Sequence, residues 1–159
     1  MQELVKALFE QLHKNNMMLA VAESCTGGML SSVLTDQAGS SAYFDRGFIT
    51  YSNEAKQELL NVPEKTIQTN GAVSEECAKA MAEGAFQNSK ANITISITGI
   101  AGPGGATDTK PVGTVYFGIS GNDAETYAIH EAFDGDRQSV RNRATQKALK
   151  LLIEHLKQA

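Results

Sequence analysis

Two short apolar segments, each followed directly by a glycine-rich loop, constrain the fold more than any other feature of this sequence. Residues 17–22 (MMLAVA) lead into the turn ESCTGG, and residues 92–98 (NITISIT) lead into the loop GIAGPGG. Apolar runs this short are typical of buried strands, and the first of these turns feeds a helical stretch. The chain is therefore expected to form a sheet that is covered by helices.

Helical patterns lie before, between and after these strands. Apolar side chains three and four residues apart predict an amphipathic helix at the start of the chain; they are Val5, Leu8, Phe9 and Leu12. Ser52 and Ser74 are the predicted N-caps of two further helices, and another helix closes the chain.

The remaining strands complete the predicted architecture. Residues 47–51 (GFITY) are rich in β-branched and aromatic side chains, and residues 112–120 and 125–133 form a predicted β-hairpin joined across residues 121–123. The predicted fold class is α/β: a single domain over residues 1–159, built as a three-layer α/β/α sandwich with a central mixed sheet.

Composition and charge exclude several classes of protein. The formal net charge of −4 disfavours a direct nucleic-acid partner, and no apolar run approaches the ~20 residues that a membrane helix needs. The two cysteines are far apart, and neither cysteines nor histidines show the spacing of metal ligands. We therefore expect a cytoplasmic protein with no metal site and no membrane partner.

The first glycine-rich loop is a candidate binding segment. Its residues follow a strand and precede a helix, where free backbone N–H groups favour an anion or a developing oxyanion. The alternative is a plain tight turn. The loop matches neither the Walker A spacing nor GxGxxG, so a nucleoside triphosphatase or a Rossmann site is disfavoured. The residues expected to contact substrate are Ser24, Thr26, Gly27 and Gly28.

The second loop, residues 99–105, contains four glycines. Glycine lets a backbone approach a ligand closely, and long loops inside compact domains are more often functional than idle. We expect contacts to substrate from Gly99, Ala101 and Gly102. Near the start of the last helix, Arg137 and Arg141 are candidates for an anionic group such as a phosphate, with a solvated helix face as the alternative.

Two residue types could supply a nucleophile. The three histidines are poorly placed for a Ser-His-Asp triad. Cys25 lies at a predicted strand-to-helix turn, where the helix dipole would lower the pKa of its thiol. A serine activated by Lys56 is the other option, because the first turn of a helix disfavours an ammonium, although most lysines on short helices are solvated. Residue patterns alone leave this choice open.

Six segments, in order along nearly the whole chain, resemble those of one family. They are AESCTGG (22–28), AGSSAYFDRGFITYSNEAK (38–56), GAVS (71–74), SITGIAGPGG (96–105), KPVGTVYF (110–117) and FDGDRQSVRNRA (133–144). Together they resemble the C-terminal domain of the competence/damage-inducible protein CinA. Standalone members of that family are nicotinamide-nucleotide amidohydrolases, which deamidate nicotinamide mononucleotide (NMN).

The resemblance implies hydrolysis of the carboxamide of NMN to nicotinate mononucleotide and ammonia through an acyl-enzyme, without a metal or a cofactor. The matching motifs place the family's nucleophile at Ser41, an orienting tyrosine at Tyr51 and the base at Lys56. A Ser-Lys-Tyr set can activate serine without histidine. Cys25 stays the rival nucleophile on chemical grounds.

The resemblance also bears on partners. It implies a homo-oligomer, with a dimer expected, and NMN as the small-molecule substrate. The phosphate of NMN would lie against a glycine-rich loop or against the arginines, and the residue pattern does not choose between them. The alternative from another class is a non-enzymatic partner-binding module linked to competence and DNA recombination.

Overall fold

A five-stranded mixed sheet forms the centre of the fold, in the order β2-β1-β3-β4-β5. β1 pairs in parallel with both β2 and β3, whereas β3, β4 and β5 pair in antiparallel fashion. The computed structural model describes residues 1–122 and 124–158. The strands are β1 (Leu19–Glu23), β2 (Phe44–Ile49), β3 (Ile93–Gly99), β4 (Thr114–Gly121) and β5 (Ala124–Ala132).

In the described part of the chain, six helices cover the two faces of the sheet, which confirms the predicted three-layer α/β/α sandwich. α1, α2 and α6 share one apolar core with the sheet, and α3, α4 and α5 form a second, smaller core on the other face. Among the described residues, no helix is long and apolar enough to cross a bilayer. The helices are α1 (Gln2–Lys14), α2 (Met29–Thr35), α3 (Asn53–Leu60), α4 (Glu64–Asn70), α5 (Glu75–Gln87) and α6 (Arg137–Gln158).

Two details of the predicted elements have separate outcomes. The β-hairpin of β4 and β5 is confirmed, but Asp123 of its predicted turn lies outside the described residues. α4 was not predicted, because Ile67 is its one buried residue and a single apolar side chain creates no periodic face.

β3 shows why the two faces of the sheet pack differently. Its isoleucines belong to the core shared with α1 and α6, whereas its alternate hydroxyl residues face α5. Thr94 Oγ1 donates to Ala82 O at 2.8 Å, and Ser96 Oγ donates to Ala78 O at 2.6 Å. A Cβ on Gly118 would collide with Ala78 O. Small residues and satisfied hydroxyls therefore let α5 lie unusually close to the sheet.

The chain crosses between its parallel strands on opposite faces. α2 connects β1 to β2 on one face, while α3, α4 and α5 connect β2 to β3 on the other. Open α/β sheets bind ligands in the crevice at the carboxyl ends of strands where the crossovers diverge. This topology directs attention to the residues that follow β1, β2 and β3.

β2 begins and ends earlier than predicted. It runs from Phe44 to Ile49 rather than over residues 47–51. Ser41 precedes the strand, as it did in the prediction, and lies in a single 3-10 turn, whereas Tyr51, predicted as the last residue of the strand, follows it. The two residues lie beyond opposite ends of one strand.

Candidate active site

A pocket of about 210 Å³ opens at the carboxyl ends of β1, β2 and β3. A larger cavity of about 470 Å³ lies between β5 and α6, but its described lining holds no serine, cysteine or lysine. Of these two, the smaller pocket is therefore the one whose lining contains potential nucleophiles and a potential base. Its lining consists of Ser24, Cys25, Tyr51, Asn53, Lys56, Ala72, Val73, Thr98, Gly99, Ala101 and Arg137.

Lys56 reaches the pocket floor from the first turn of α3. Ser52 caps this helix, since its Oγ accepts from the Ala55 N–H at 3.0 Å, and the helix starts directly after β2. The lysine side chain is only 1% exposed. The expectation that a lysine on a short helix would be solvated does not apply here.

The amine of Lys56 has three oxygen neighbours. Its Nζ lies 3.0 Å from Ser24 Oγ, 2.8 Å from Thr50 O and 3.4 Å from Tyr51 O. A neutral amine has two N–H donors and one lone pair. If the two carbonyls accept the donors, the lone pair is left facing the Ser24 hydroxyl, which is the arrangement that a general base requires.

Burial shifts the titration of Lys56 toward the neutral amine. Burial lowers the pKa of Lys56 below its ordinary value of 10.5, and nearby Cys77 and Cys25 offset this in part. No carboxylate of the described chain forms a salt bridge with Lys56. The amine is therefore desolvated without the anionic partner that would hold it as an ammonium.

Tyr51 lies at the mouth of the pocket and not beside the amine. Its ring is 60% exposed, and its Oη accepts from Arg137 Nη2 at 3.0 Å. Only its backbone carbonyl faces Lys56. Arg137 also donates from Nη1 to Gly102 O at 2.8 Å, so it bridges the end of β2 and the loop after β3.

Ser41 is not brought together with Tyr51 and Lys56. It is exposed in the 3-10 turn Ser40–Ala42, before β2, and is absent from the pocket lining. The six residues of β2 separate the two sites by roughly 20 Å at about 3.3 Å per residue. Within one chain the predicted pair of Ser41 and Lys56 therefore has no geometric support, and Ser24 is the serine in contact with the amine of Lys56.

The loop after β1 holds Ser24 rigidly. The Ser24 N–H donates to Ile97 O at 2.9 Å, which continues the pairing of β1 with β3. Glu23, completely buried, accepts from the N–H groups of Leu30 and Ser31 at 2.9 and 3.0 Å. Glu23 was not singled out from the sequence, although an acid placed between an apolar strand and a glycine-rich turn is a signal that could have found it.

The two arginines have different partners. Arg137 lines the pocket, whereas Arg141 donates to Cys25 O at 3.0 Å and to Thr26 O at 3.1 Å. Gly27 and Gly28 adopt positive φ angles of 55° and 99°, which lets the loop turn toward α2. Of the residues predicted to bind substrate, Ser24, Gly99, Ala101 and Arg137 line the pocket, and Thr26, Gly27, Gly28, Gly102 and Arg141 do not.

Cys25 lines the pocket, but its thiol is not activated. The prediction that the helix dipole would lower its pKa is wrong: burial raises the pKa of Cys25 from its ordinary value of 9.0 to about 11, and the opposing effect of Arg141 is smaller. A thiol with this pKa is almost wholly protonated at neutral pH. Within the described chain, no group of three or more His, Cys, Asp or Glu side chains could hold a metal ion.

Comparisons with known proteins agree with this fold. A family model described as the CinA C-terminal domain matches residues 1–156. The chain is 44% identical over 158 residues to the nicotinamide-nucleotide amidohydrolase PncC of Escherichia coli K12, covering 99% of this chain and 96% of the relative. It is 47% identical over 152 residues to a putative competence-damage inducible protein of Caldicellulosiruptor bescii, covering 95% of this chain.

The relatives differ in length. The chain spans only 36% of the Caldicellulosiruptor protein, about a third of its length. Among solved structures, the competence damage-inducible protein A of Klebsiella pneumoniae superposes with a TM-score of 0.94 at 37% identity, covering 98% of this chain and 96% of that one.

Proposed function

This chain belongs to the CinA C-terminal domain family, and on that premise we propose that it hydrolyses the carboxamide of NMN, with Ser24 as the nucleophile and Lys56 as the general base. The observation that carries the proposal is the 3.0 Å contact between Lys56 Nζ and Ser24 Oγ at the floor of the pocket. The substrate is inferred from relatives named nicotinamide-nucleotide amidohydrolase.

The reaction proceeds in two steps through a covalent acyl-enzyme. Ser24 Oγ attacks the carboxamide carbon while its proton passes to Lys56 Nζ, and the carbonyl electron pair moves to oxygen. Collapse of this tetrahedral intermediate breaks the C–N bond, and the Lys56 ammonium returns its proton to the departing nitrogen, which leaves as ammonia. Lys56 then takes a proton from water, which attacks the ester carbon of the acyl-enzyme. The second tetrahedral intermediate expels Ser24 Oγ, which recovers that proton from Lys56, and nicotinate mononucleotide is released.

The size and charge of the pocket support this orientation of the substrate. A volume of about 210 Å³ suits the pyridine ring and its carboxamide, so the ribose and phosphate are left at the mouth. Arg137 lies there beside Tyr51. A guanidinium suits a phosphate, and an exposed aromatic ring suits a pyridinium through a cation–π contact. We assign the phosphate to Arg137 and not to Arg141.

The decisive assay measures ammonia release from NMN by the purified protein, with and without EDTA. We expect turnover that is unchanged by chelation. Activity that is lost to EDTA and restored by a divalent ion would contradict a mechanism based on the Ser24–Lys56 pair, and absence of turnover would overturn the proposed function.

Mass spectrometry of enzyme quenched during turnover identifies the nucleophile. Ser24 and Ser41 lie on opposite sides of Asp36, so cleavage before Asp36 places them on different peptides, whereas cleavage at lysine and arginine does not. We expect the nicotinoyl group on the peptide that contains Ser24. A homo-oligomer, a cytoplasmic location and a partner-binding role in competence stay predictions of the sequence.

A further inference from the structure

Arg141 donates hydrogen bonds to the loop after β1. Its Nε donates to Cys25 O at 3.0 Å and its Nη2 to Thr26 O at 3.1 Å, while Arg141 itself does not line the pocket. It projects from α6, a 22-residue helix whose neighbouring residues Val140 and Ala144 are completely buried in the core. The guanidinium is therefore carried by a rigid support.

Holding a carbonyl also orients the next N–H group. A trans peptide is planar, so its N–H points away from its C=O. By binding two successive carbonyls, Arg141 sets the directions of the N–H groups of Thr26 and Gly27. The Gly27 N–H donates to Ser24 O at 3.1 Å. In contrast, within residues 1–122 and 124–158 the N–H group of Thr26 donates to no backbone or side-chain oxygen.

Thr26 carries unsatisfied polar groups close to the proposed nucleophile in the sequence. The Thr26 side chain is completely buried, and its Oγ1 has no hydrogen-bond partner in the described chain. Buried polar groups are rarely left unpaired unless a ligand or water satisfies them. Glu23 secures the far side of the same loop through Leu30 and Ser31. Two residues after Ser24, Thr26 thus has an N–H and a hydroxyl that lack partners in the described chain, on a loop that Arg141 and Glu23 hold from two sides.

We propose that Arg141 is a positioning residue that holds the N–H group of Thr26 as an oxyanion-binding donor of this site. The inference rests on the proposed function, because the oxyanion forms only when Ser24 attacks the carboxamide. Arg141 acts through the backbone and does not touch substrate. Lysine is a poor replacement, because its shorter side chain ends in one nitrogen, whereas Arg141 reaches the two carbonyls with two separate nitrogens of a rigid, planar guanidinium.

The test compares Arg141→Lys with Arg143→Lys, a matched change at an exposed arginine of the same helix. Removal of one oxyanion donor typically lowers kcat by ~100–1,000-fold. We expect Arg141→Lys to lower kcat for NMN by about 100-fold with KM changed less than about threefold, and Arg143→Lys to change neither. A kcat within about threefold of wild type would overturn the proposal, as would a selective rise in KM for NMN over nicotinamide riboside.

A second readout separates positioning from general damage to the fold. The NMN analogue with a carboxaldehyde in place of the carboxamide can add Ser24 and create the tetrahedral oxyanion. Arg141→Lys should weaken binding of this analogue by about the same factor as kcat and leave binding of nicotinate mononucleotide unchanged. Equal weakening of both ligands would overturn the oxyanion role.

A measurement on wild-type protein does not depend on the variant folding. The carboxaldehyde analogue should shift the backbone amide proton resonance of Thr26 downfield, and nicotinate mononucleotide should not. If the Thr26 amide resonance is not shifted when the adduct forms, the inference about Arg141 is overturned, while the proposed function still stands. Wild-type protein that neither releases ammonia nor binds the aldehyde would overturn the proposed function together with it.

Discussion

The two ends of β2 each have a serine nearby, and they differ in everything that makes a serine reactive. At the carboxyl end, Ser24 of the adjacent strand lies 3.0 Å from an amine that is 1% exposed. At the amino end, Ser41 is exposed and separated from that amine by the whole strand. A hydroxyl becomes nucleophilic only when a base of suitable pKa lies within hydrogen-bond reach, and only one end of β2 meets this requirement.

The largest expected effect tests that contrast directly. Ser24→Ala should lower kcat for NMN by roughly 10⁴-fold or more, because loss of a nucleophile leaves only binding and oxyanion stabilisation. Ser41→Ala, the matched change at the other end of the strand, should stay within about threefold of wild type. If Ser41→Ala lost activity and Ser24→Ala kept it, the contrast between the two ends of β2 would be wrong and Ser41 would be the nucleophile.

A substitution of Lys56, the proposed general base, tests the same contrast between the two ends of β2. Lys56→Met removes the amine but keeps the length of a side chain that is already buried, so the protein should fold with a similar Tm. Loss of a general base should lower kcat by about 10²–10⁴-fold. Lys65→Met, at an exposed lysine of α4, is the control. If Lys56→Met still turned over NMN at a near wild-type rate, the amine would have no part in catalysis.

A substitution at the mouth of the pocket is expected to change substrate binding more than the rate of the chemical step. Arg137→Ala should raise KM for NMN by about tenfold or more, since a hydrogen bond to a charged group is worth about 1.5–3 kcal/mol. KM for nicotinamide riboside, which has no phosphate, should change little. Steady-state kinetics with both substrates and Arg143→Ala as the control check this. Equal increases in KM for both substrates would contradict the assignment of the phosphate to Arg137.

The smallest effect concerns the other nucleophile at the same end of the sheet. Cys25→Ser should change kcat by only a few fold. Because burial raises the pKa of Cys25 to about 11, its thiolate fraction should grow tenfold per pH unit across pH 7 to 10, without the levelling near pH 9 of an ordinary thiol. Mass-spectrometric rates of iodoacetamide labelling measure this slope. A plateau near neutral pH would reveal an activated thiol.

Much of the fold could be predicted because its signals are local. Amphipathic spacing, serine caps and short apolar runs are consequences of helix and strand geometry, and each acts within a few residues. α4 was missed because one buried isoleucine gives no period. The ends of β2 lie about two to three residues earlier than predicted, which places Tyr51 after the strand and not in it.

The sequence by itself determined the class of the fold, the family and the set of residues available for chemistry. Tertiary structure alone decided which serine meets Lys56, because parallel pairing of β1 with β2 joins residues 32 positions apart while β2 separates those 15 apart. It also decided that the thiol of Cys25 stays protonated and that Arg141 binds backbone carbonyls. Contact and desolvation depend on how distant segments pack, and no local pattern of residues specifies either.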